Sequence, residues 1–440
     1  MGKQSTISSS EEWVDRGDQF SKSQDFQKAV ECYSRAIDLN PRAAFAYFKR
    51  GVALASLDAF KESITDFNNA IVLNPHFSFA YFKRGSSFLE LRQYDKALED
   101  FDKAIEINAD FSFAYYKRGL CMAAMGDLDA AIENYDQAAE MNPSYQQTFL
   151  NRANVYFRRR EFEKAIEDYS QVVAIDPKNE QAYISRGIAF SHMQNYKKAL
   201  DDYQRVININ KNSLIAHNYS GLVYSLMKEY EKAIREYDAV IDLDSTQAEA
   251  FNNRGIAYYA LKDYEQAIKD YDRAITLEPS NMANVYYNRA NAFYYSKKYI
   301  EAILDYDKVI ELNPRMPTAF FGRANANAAL GQHREAIKDY SRAININPKF
   351  MQAYIGRGNA FTKMRHYKKA LEDFTLAIEI DPEFAQAYLN RGIAFRTEGK
   401  NDDAALDFQE YLKVSRKRDS TYNQVRNWLK KMGYEVPKAE

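Results

Sequence analysis

Arginine and acidic residues recur along the chain with a common period of 34 residues. Eleven arginines form one series, from Arg16 to Arg391, and ten acidic residues form another, from Asp66 to Asp407. The planar fork of arginine binds carboxylates or phosphates with two parallel hydrogen bonds. A phosphate or nucleic-acid site needs an excess of arginine, whereas these two series nearly balance. We therefore interpret them as structural ion pairs, and the spacing leaves open whether partners belong to the same repeat or to adjacent repeats.

A second pattern combines aromatic rings with lysine in three consecutive repeats. The heptapeptide Phe-Ala-Tyr-Phe-Lys-Arg-Gly begins at Phe45 and at Phe79, and a variant with a second tyrosine begins at Phe113. Rings beside cations suit a partner segment that carries apolar anchors and acidic residues. The alternative is that the rings only fill space between adjacent repeats. The candidate partner-binding residues are Phe45, Phe48, Lys49, Phe79, Phe82, Lys83, Phe113, Tyr116 and Lys117.

A row of asparagines in the second half of the chain supplies further partner-binding candidates, namely Asn253, Asn288, Asn291, Asn325 and Asn359. Catalytic motifs are missing from the sequence. The five histidines have no metal-binding spacing, no serine lies in a G-x-S-x-G elbow, and no phosphate-binding glycine loop occurs. We therefore expect no enzyme activity, no metal site and no cofactor.

The amino terminus and the composition bear on location. Met1 and Gly2 begin a sequence that matches the pattern for N-myristoylation, with lipid attached at Gly2, although an unmodified tail is the alternative. The formal net charge of −1 gives no global attraction for nucleic acid. The two cysteines suggest a reducing compartment. No signal peptide or long apolar run is evident, so we expect a cytoplasmic protein that reaches a membrane only through a lipid at Gly2.

The arginine, acidic, aromatic, lysine and asparagine residues of these series belong to a unit of 34 residues that occurs twelve times. The copies begin at residues 10, 44, 78, 112, 146, 180, 214, 248, 283, 317, 351 and 385, and they cover 10–418 with one residue inserted near 280–285. Positions 4, 8 and 11 of the unit are aromatic, small and mostly apolar, which is the spacing of one helix face. Positions 20, 24 and 27 repeat that spacing and predict a second helix. Proline at position 32 of eight copies ends it.

This unit resembles the tetratricopeptide repeat (TPR), which has an aromatic residue at position 4, glycine or alanine at 8, alanine at 20, an aromatic residue at 24 and proline at 32. The resemblance covers 10–418. It implies an all-α, right-handed superhelical solenoid of twelve helix-turn-helix units. In the family, positions 2, 5, 6 and 9 of the first helix face a concave groove where ligands lie. The aromatic, lysine and asparagine candidates occupy these positions.

The resemblance also shapes the functional expectation. The basic clamp with which chaperone-binding family members hold a C-terminal carboxylate is absent, because position 5 is never lysine. The asparagines resemble part of the ladder with which some members hold peptide backbones, but Gly322 and Gly356 interrupt it. We expect a non-enzymatic scaffold or adaptor that binds an extended partner segment. A myristoylated, membrane-anchored adaptor and the regulatory subunit of an enzyme complex are the alternatives.

The domain boundaries follow from the repeat. Residues 1–9 are small and polar, and we expect a disordered tail there. A soft joint is predicted at 211–221, because Lys211 replaces the proline at position 32, His217 the aromatic residue at position 4 and Ser220 the arginine at position 7. Residues 419–440 follow the array. Within them, Ser420 to Gly433 predicts an amphipathic helix, capped by Ser420 or Thr421, that covers the last repeat.

Overall fold

The computed structural model describes residues 9–279, 282–415 and 418–437, which form helices and turns without strands. Two units are distinguished, Met1–Ala216 and His217–Glu440. The first contains α1 (Ser10–Lys22), α2 (Phe26–Leu39), α3 (Ala44–Ala55), α4 (Phe60–Leu73), α5 (Ser78–Glu90), α6 (Tyr94–Ile107), α7 (Ser112–Met125), α8 (Leu128–Met141), α9 (Gln146–Arg158), α10 (Phe162–Ile175), α11 (Glu180–His192) and α12 (Tyr196–Ile209).

Helix α13 (Leu214–Leu226) contains the division between the units. The second unit continues with α14 (Tyr230–Leu243), α15 (Ala248–Ala260), α16 (Tyr264–Leu277), α17 (Ala283–Tyr295), α18 (Tyr299–Leu312), α19 (Pro317–Ala329), α20 (His333–Ile346), α21 (Met351–Lys363), α22 (Tyr367–Ile380), α23 (Ala385–Glu398), α24 (Asn401–Val414) and α25 (Ser420–Lys431). Helices α1 to α24 are the paired helices of twelve repeats. This confirms the prediction of an all-α solenoid built from helix-turn-helix units.

The aromatic residue at position 24 forms the centre of each repeat. All twelve rings at this position, from Tyr33 to Phe408, are almost completely buried. The small residue at position 8 of the first helix makes room for the ring. A Cβ atom added to Gly255, for example, would lie 2.7 Å from Cε1 of Tyr271. The two helix backbones therefore pack closely around the ring, as the pattern of small and aromatic residues predicted.

The fully buried positions on the first helix differ in part from those expected. Small residues at positions 3 and 10, such as Ala250 and Ala257, are buried, whereas the ring at position 4 is half-buried in most repeats. Positions 3 and 10 therefore add to the face of positions 4, 8 and 11 that the spacing predicted. Helix α15, for example, packs on one side against its partner helix α16 and on the other side against α14 of the preceding repeat. Two contact surfaces require a wider apolar face than a single stripe.

The turn between paired helices uses a left-handed residue at position 15. Gly126, Gly331 and Gly399 occupy it in three repeats, and non-glycine residues such as Lys262, with φ of 65°, occupy it in the others. The amide of Asp263 then donates to the carbonyl of Tyr258 at 2.9 Å, which closes the end of α15. This hydrogen bond satisfies a carbonyl at the helix end and compensates for the strained backbone.

The turn between successive repeats depends on the residue at position 31 as well as on proline. In α2, the helix ends at Leu39, and Asn40 leaves the helical conformation, with φ of −138° and ψ of 89°, as the residue before Pro41 must. The side chain of Asn40 accepts a hydrogen bond from the amide of Arg42 at 3.1 Å. Equivalent turns with asparagine or aspartate occur in most repeats, including Asn210 before Lys211. The side chain at position 31 therefore shapes the turn even where proline is missing.

Helix α25 covers the last repeat, which confirms the predicted C-terminal capping helix. Val425 and Leu429 are completely buried against α24, and Tyr422 is buried beside them. The predicted N-cap at Ser420 or Thr421 was wrong. Asp419 is the N-cap, and its carboxylate accepts hydrogen bonds from the amides of Thr421 and Tyr422. Aspartate serves as well as serine here and adds a favourable charge at the positive end of the helix.

A membrane-spanning segment would need a longer and more apolar helix than any in the described residues.

Candidate functional site

The arginine and acidic series pair within a repeat. In nine repeats, the arginine at position 7 binds the aspartate at position 23 of the same repeat through Nε and Nη2, at 2.6–2.9 Å. The third nitrogen, Nη1, reaches position 25 of the preceding repeat. Arg254, for example, binds Asp270 in its own repeat and Asp238 in the repeat before it. The arginines therefore join adjacent repeats as well as paired helices.

Burial makes these ion pairs important for stability. The carboxylate of Asp270 is almost fully buried, and burial raises its pKa, whereas the hydrogen bonds from Arg254 lower it. The guanidinium of Arg254 also lies over the ring of Phe251 at position 4, with 5.4 Å between its Cζ atom and the ring centroid. Positions 4, 7 and 23 thus form one cluster in each regular repeat. This environment occupies the arginines and leaves them poorly placed to bind phosphate.

The phenylalanines at position 2 of repeats two to four are exposed. Phe45, Phe79 and Phe113 have 52, 50 and 40% of their surface accessible to solvent. They lie at the start of α3, α5 and α7, which are the first helices of repeats two, three and four. We call this surface, with the position 5 rings and position 6 lysines of the same repeats, the aromatic–lysine face. Its nine residues are Phe45, Phe79, Phe113, Phe48, Phe82, Tyr116, Lys49, Lys83 and Lys117.

The rings at position 5 are more buried than those at position 2. Phe48 is half-buried and packs against the central ring of its repeat, Phe67, with 6.0 Å between centroids. Phe82 makes the equivalent contact with Phe101, and Tyr116 is buried. These three side chains therefore contribute to the packing of repeats two to four. Only the position 2 rings of this face are free for a partner over half or nearly half of their surface.

A third set of rings was missed by sequence reasoning. Phe77, Phe111 and Tyr145 occupy position 34, at the end of repeats two, three and four. Phe79 packs on Phe111 with 4.9 Å between centroids, and Phe113 packs on Tyr145 at 5.0 Å. The rings at position 34 therefore hold the exposed rings at position 2 in place. The signal was present in the sequence, because these consecutive repeats share an aromatic residue at a position where repeat five has Asn179.

The three lysines of the face differ in their surroundings. Lys49 binds Asp18 of repeat one, with 3.2 Å between Nζ and the carboxylate. Lys83 and Lys117 have no carboxylate partner among the described residues. The repeats before them carry Val52 and Ser86 at the position equivalent to Asp18. Burial lowers the pKa of Lys83, and the nearby charge of Lys117 lowers it further. The face therefore holds two half-buried cations that an anionic group would stabilise.

The asparagine candidates are placed on the first helices of repeats eight to eleven. Asn291 and Asn325 accept hydrogen bonds from the hydroxyls of Tyr306 and Tyr340, at 2.7 and 2.6 Å. Asn359 accepts from Asn390 at 3.1 Å. The oxygens of these three amides are thus occupied, while their Nδ2 groups make no hydrogen bond to the described part of the chain. Such groups are free to donate to carbonyls of a bound segment.

The two remaining asparagines lie at position 6. Asn288 donates to Asn252 at 3.3 Å, and Asn252 donates to the oxygen of Asn253 at the same distance. The Nδ2 atom of Asn253 is shielded from water and has no hydrogen-bond partner among the described residues. The asparagines therefore form local pairs rather than one continuous row. Gly2, the candidate lipidation site, lies outside the described residues.

Family models match most of the repeats. Models described as tetratricopeptide repeat match residues 78–111, 180–213, 248–281, 283–316 and 352–384, and also 122–180. A model described as TPR repeat matches 17–58, 226–262 and 324–364. No curated protein matches the chain in sequence.

Several solved structures resemble the chain in fold. Yeast Tom70 is 18% identical, with a TM-score of 0.40, over 96% of this chain and 95% of that chain. The Cut9 and Hcn1 assembly of APC/C is 13% identical, with a TM-score of 0.46, over 97% and 96%. YrrB, described as a TPR protein with an unusual peptide-binding site, is 25% identical, with a TM-score of 0.37, over 42% and 95%.

Proposed function

The chain belongs to the tetratricopeptide repeat family, and we propose that it is a non-enzymatic adaptor whose aromatic–lysine face holds an extended, acidic segment of a partner protein. The observation that carries this proposal is the combination of three exposed phenylalanines with two lysines that have no carboxylate partner in the described part of the chain. Repeated helical units of this kind form scaffolds suited to protein–protein interaction. The proposal concerns the chemistry of the segment that this scaffold binds.

The exposed rings supply the apolar part of the interface. Phe45, Phe79 and Phe113 recur once per repeat, so a segment that runs along the stack meets a ring at regular intervals. Each ring rests on a second ring or on a neighbouring aromatic side chain, and it is therefore held in place before the partner arrives. Pre-organised aromatic anchors lose little conformational freedom on binding and dominate many interfaces.

The lysines select the charge of the segment. Lys83 and Lys117 bear half-buried positive charges that disfavour each other. A carboxylate placed between or beside them would reduce this repulsion and accept hydrogen bonds from their Nζ groups. A basic segment would increase the repulsion and be rejected. Charge pairs of this kind mainly set the rate of association and its dependence on salt.

A selection experiment tests the proposal without knowledge of the natural partner. A phage library of random twelve-residue peptides is selected against the full chain, and the enriched peptides are compared with those selected by a variant with Phe45, Phe79 and Phe113 all changed to serine. We expect acidic peptides with spaced apolar residues from the first selection and their loss from the second. Peptides without acidic enrichment, or equal enrichment by the variant, would refute the proposal.

Substitutions at position 2 separate loss of binding from loss of folding. Changing Phe48 and Phe82 to alanine would remove packing around Phe67 and Phe101, so loss of binding could reflect unfolding. Serine at the three exposed positions leaves those contacts intact, and the helix content and melting temperature should stay close to those of the unmodified protein. A matched variant with Lys83 and Lys117 changed to glutamine should retain binding at high salt but bind more slowly at low salt.

Two further possibilities for the adaptor have direct tests. Attachment to a membrane through a lipid at Gly2 predicts that Gly2→Ala moves the protein from the membrane fraction to the supernatant. Membership of an enzyme complex predicts that a catalytic activity co-purifies with the chain and is lost when the position 2 phenylalanines are replaced.

A further inference from the structure

A cavity of about 500 Å³ opens on the first helices of repeats ten and eleven, α19 and α21. Rings of Phe321, Tyr340 and Phe384 form its apolar walls, and the amides of Asn325 and Asn359 line it as well. The cavity lies within the second unit. Its volume falls in the range of sites that bind small ligands or large side chains.

Two alanines make room for this cavity, and a glycine shapes its wall. Repeat ten has Ala328 and Ala329 where repeat nine has Tyr294 and Tyr295. Gly356 occupies position 6 of repeat eleven, and a Cβ atom there would lie 2.5 Å from Cζ of Tyr340. The glycine that interrupts the asparagine series therefore lets the tyrosine ring extend to the cavity wall. At Gly356, an aromatic cavity wall therefore replaces the next asparagine of the series.

The polar groups of the cavity indicate what it binds. His333 lines the cavity, and its Nδ1 atom is shielded from water without a hydrogen-bond partner among the described residues. A buried polar atom without a partner is unfavourable, so the imidazole gains a hydrogen bond when its ring turns this nitrogen towards the cavity and a ligand satisfies it. Lys363 adds a positive charge, and none of the described residues that line the cavity is acidic. The Nδ2 groups of Asn325 and Asn359 provide donors for backbone carbonyls.

We propose that this cavity binds the side chain of a tyrosine in an extended partner segment, with acidic residues beside the tyrosine. A phenol hydroxyl both donates and accepts, so it can satisfy Nδ1 of His333 in either tautomer of the imidazole. The ring contacts the aromatic walls, and neighbouring carboxylates face Lys363. The proposal rests on the adaptor function in one respect only, namely that the ligand is a segment of a protein.

Direct binding of a single residue tests the site. N-acetyl-L-tyrosinamide is titrated into the full chain and followed by ligand-observed NMR. Ala328→Tyr fills the cavity with the residue that repeat nine carries at the same position, so the fold should be preserved. We expect binding to weaken at least tenfold in this variant. Ala260→Tyr, on the first helix of repeat eight and outside the cavity lining, is the matched control and should bind as the unmodified protein does.

The role of His333 is tested by selectivity. The unmodified protein should bind N-acetyl-L-tyrosinamide at least fivefold more tightly than N-acetyl-L-phenylalaninamide, and His333→Leu should reduce that ratio to near one. His333→Gln, which retains hydrogen-bonding groups, should recover part of the preference. Equal binding of tyrosinamide to the unmodified protein and to folded Ala328→Tyr would overturn the site. An unchanged ratio in His333→Leu would overturn recognition of the hydroxyl.

These outcomes are independent of the aromatic–lysine face. The serine variants of Phe45, Phe79 and Phe113 should bind N-acetyl-L-tyrosinamide normally even though they lose acidic peptides. If the peptide selection fails while tyrosinamide binds in the cavity, the tyrosine site stands and the proposed face in repeats two to four falls. If tyrosinamide fails to bind while acidic peptides are selected, the adaptor function stands and the tyrosine site falls.

Discussion

His217 and Glu236 contact each other directly, with 2.8 Å between Nδ1 of the imidazole and Oε2 of the carboxylate. They occupy positions 4 and 23 of repeat seven, where nine other repeats have an aromatic ring and a carboxylate joined by arginine. Ser220 replaces that arginine. The histidine therefore takes over the carboxylate that would otherwise be left without its usual partner. The departures of repeat seven from the common pattern are thus linked by one physical cause.

Restoring the common cluster should stabilise repeat seven only when both residues are changed. His217→Tyr alone removes the partner of Glu236 and should cost about 1–3 kcal/mol, the usual effect of losing a hydrogen bond to a charged group. Combined with Ser220→Arg, it should recover that loss, because the new arginine binds the carboxylate and lies over the new ring. Denaturant unfolding of both single variants and the double variant measures the coupling. Additive effects would show that the three positions act independently.

The repeat architecture was predictable because its cause is local in the sequence. The ring at position 24 and the small residue at position 8 recur in all twelve repeats, and their spacing alone gives two helices that pack closely. The extent of burial was harder to predict. Ala250 and Ala257 are buried because the first helix also contacts the preceding repeat, and a helical period seen within one unit contains no information about that second surface.

The residues of the candidate site could be predicted from the sequence, whereas the extent of their burial could not. Phe45 and Phe48 both appeared as surplus aromatic residues, yet only Phe45 is largely exposed. The difference depends on Phe67 and Phe77, which are distant in sequence from the first helix and close to it in the fold. The register of the arginine pairs was likewise open, since Asp270 and Asp238 lie sixteen residues on either side of Arg254 and both prove to be partners.

Replacing Arg254 tests the structural role of the ion pairs. Arg254→Met leaves the buried carboxylate of Asp270 without its partner and should cost about 3–5 kcal/mol. Hydrogen exchange should increase in repeats seven and eight, which the arginine joins. Asp238→Ala is the matched control, because that carboxylate is exposed over 44% of its side chain and should contribute less than about 1 kcal/mol.

The destabilisation by Arg254→Met should also depend on pH. Burial raises the pKa of Asp270, and loss of the arginine removes the groups that lower it. The carboxyl then holds its proton at a higher pH in the folded variant than in the unfolded chain. The cost of the substitution should therefore be smaller at pH 5 than at pH 8. A cost that is the same at both values would show that Asp270 remains ionised in the variant.

The soft joint at 211–221 remains a prediction, and limited proteolysis tests it. Subtilisin should cleave first in the turn at 211–213, before it cleaves any other turn between repeats. Lys211→Pro is the matched variant. Asn210 is extended, as a residue before proline should be, and the amide of Lys211 makes no backbone hydrogen bond to the described residues. Proline should therefore slow cleavage there. First cleavage at 279–285 would place the most easily cleaved segment near the inserted residue instead.

Lys83 should lower the stability of the unbound protein, in contrast to Lys49. Because burial and Lys117 lower the pKa of Lys83 in the folded state, its positive charge disfavours folding at neutral pH. Lys83→Met should therefore raise the melting temperature at pH 7. The gain should shrink as the pH rises through the lowered pKa of Lys83, and it should vanish above the pKa of an unfolded lysine, about 10.4.

Lys49→Met, which removes the partner of Asp18, is the matched control and should give no gain at any pH. An equal effect of the two substitutions on the melting temperature would show that the charge of Lys83 destabilises the fold no more than that of a paired lysine. An acidic peptide that binds the aromatic–lysine face should remove the difference, because its carboxylate gives Lys83 the partner that the described residues do not provide.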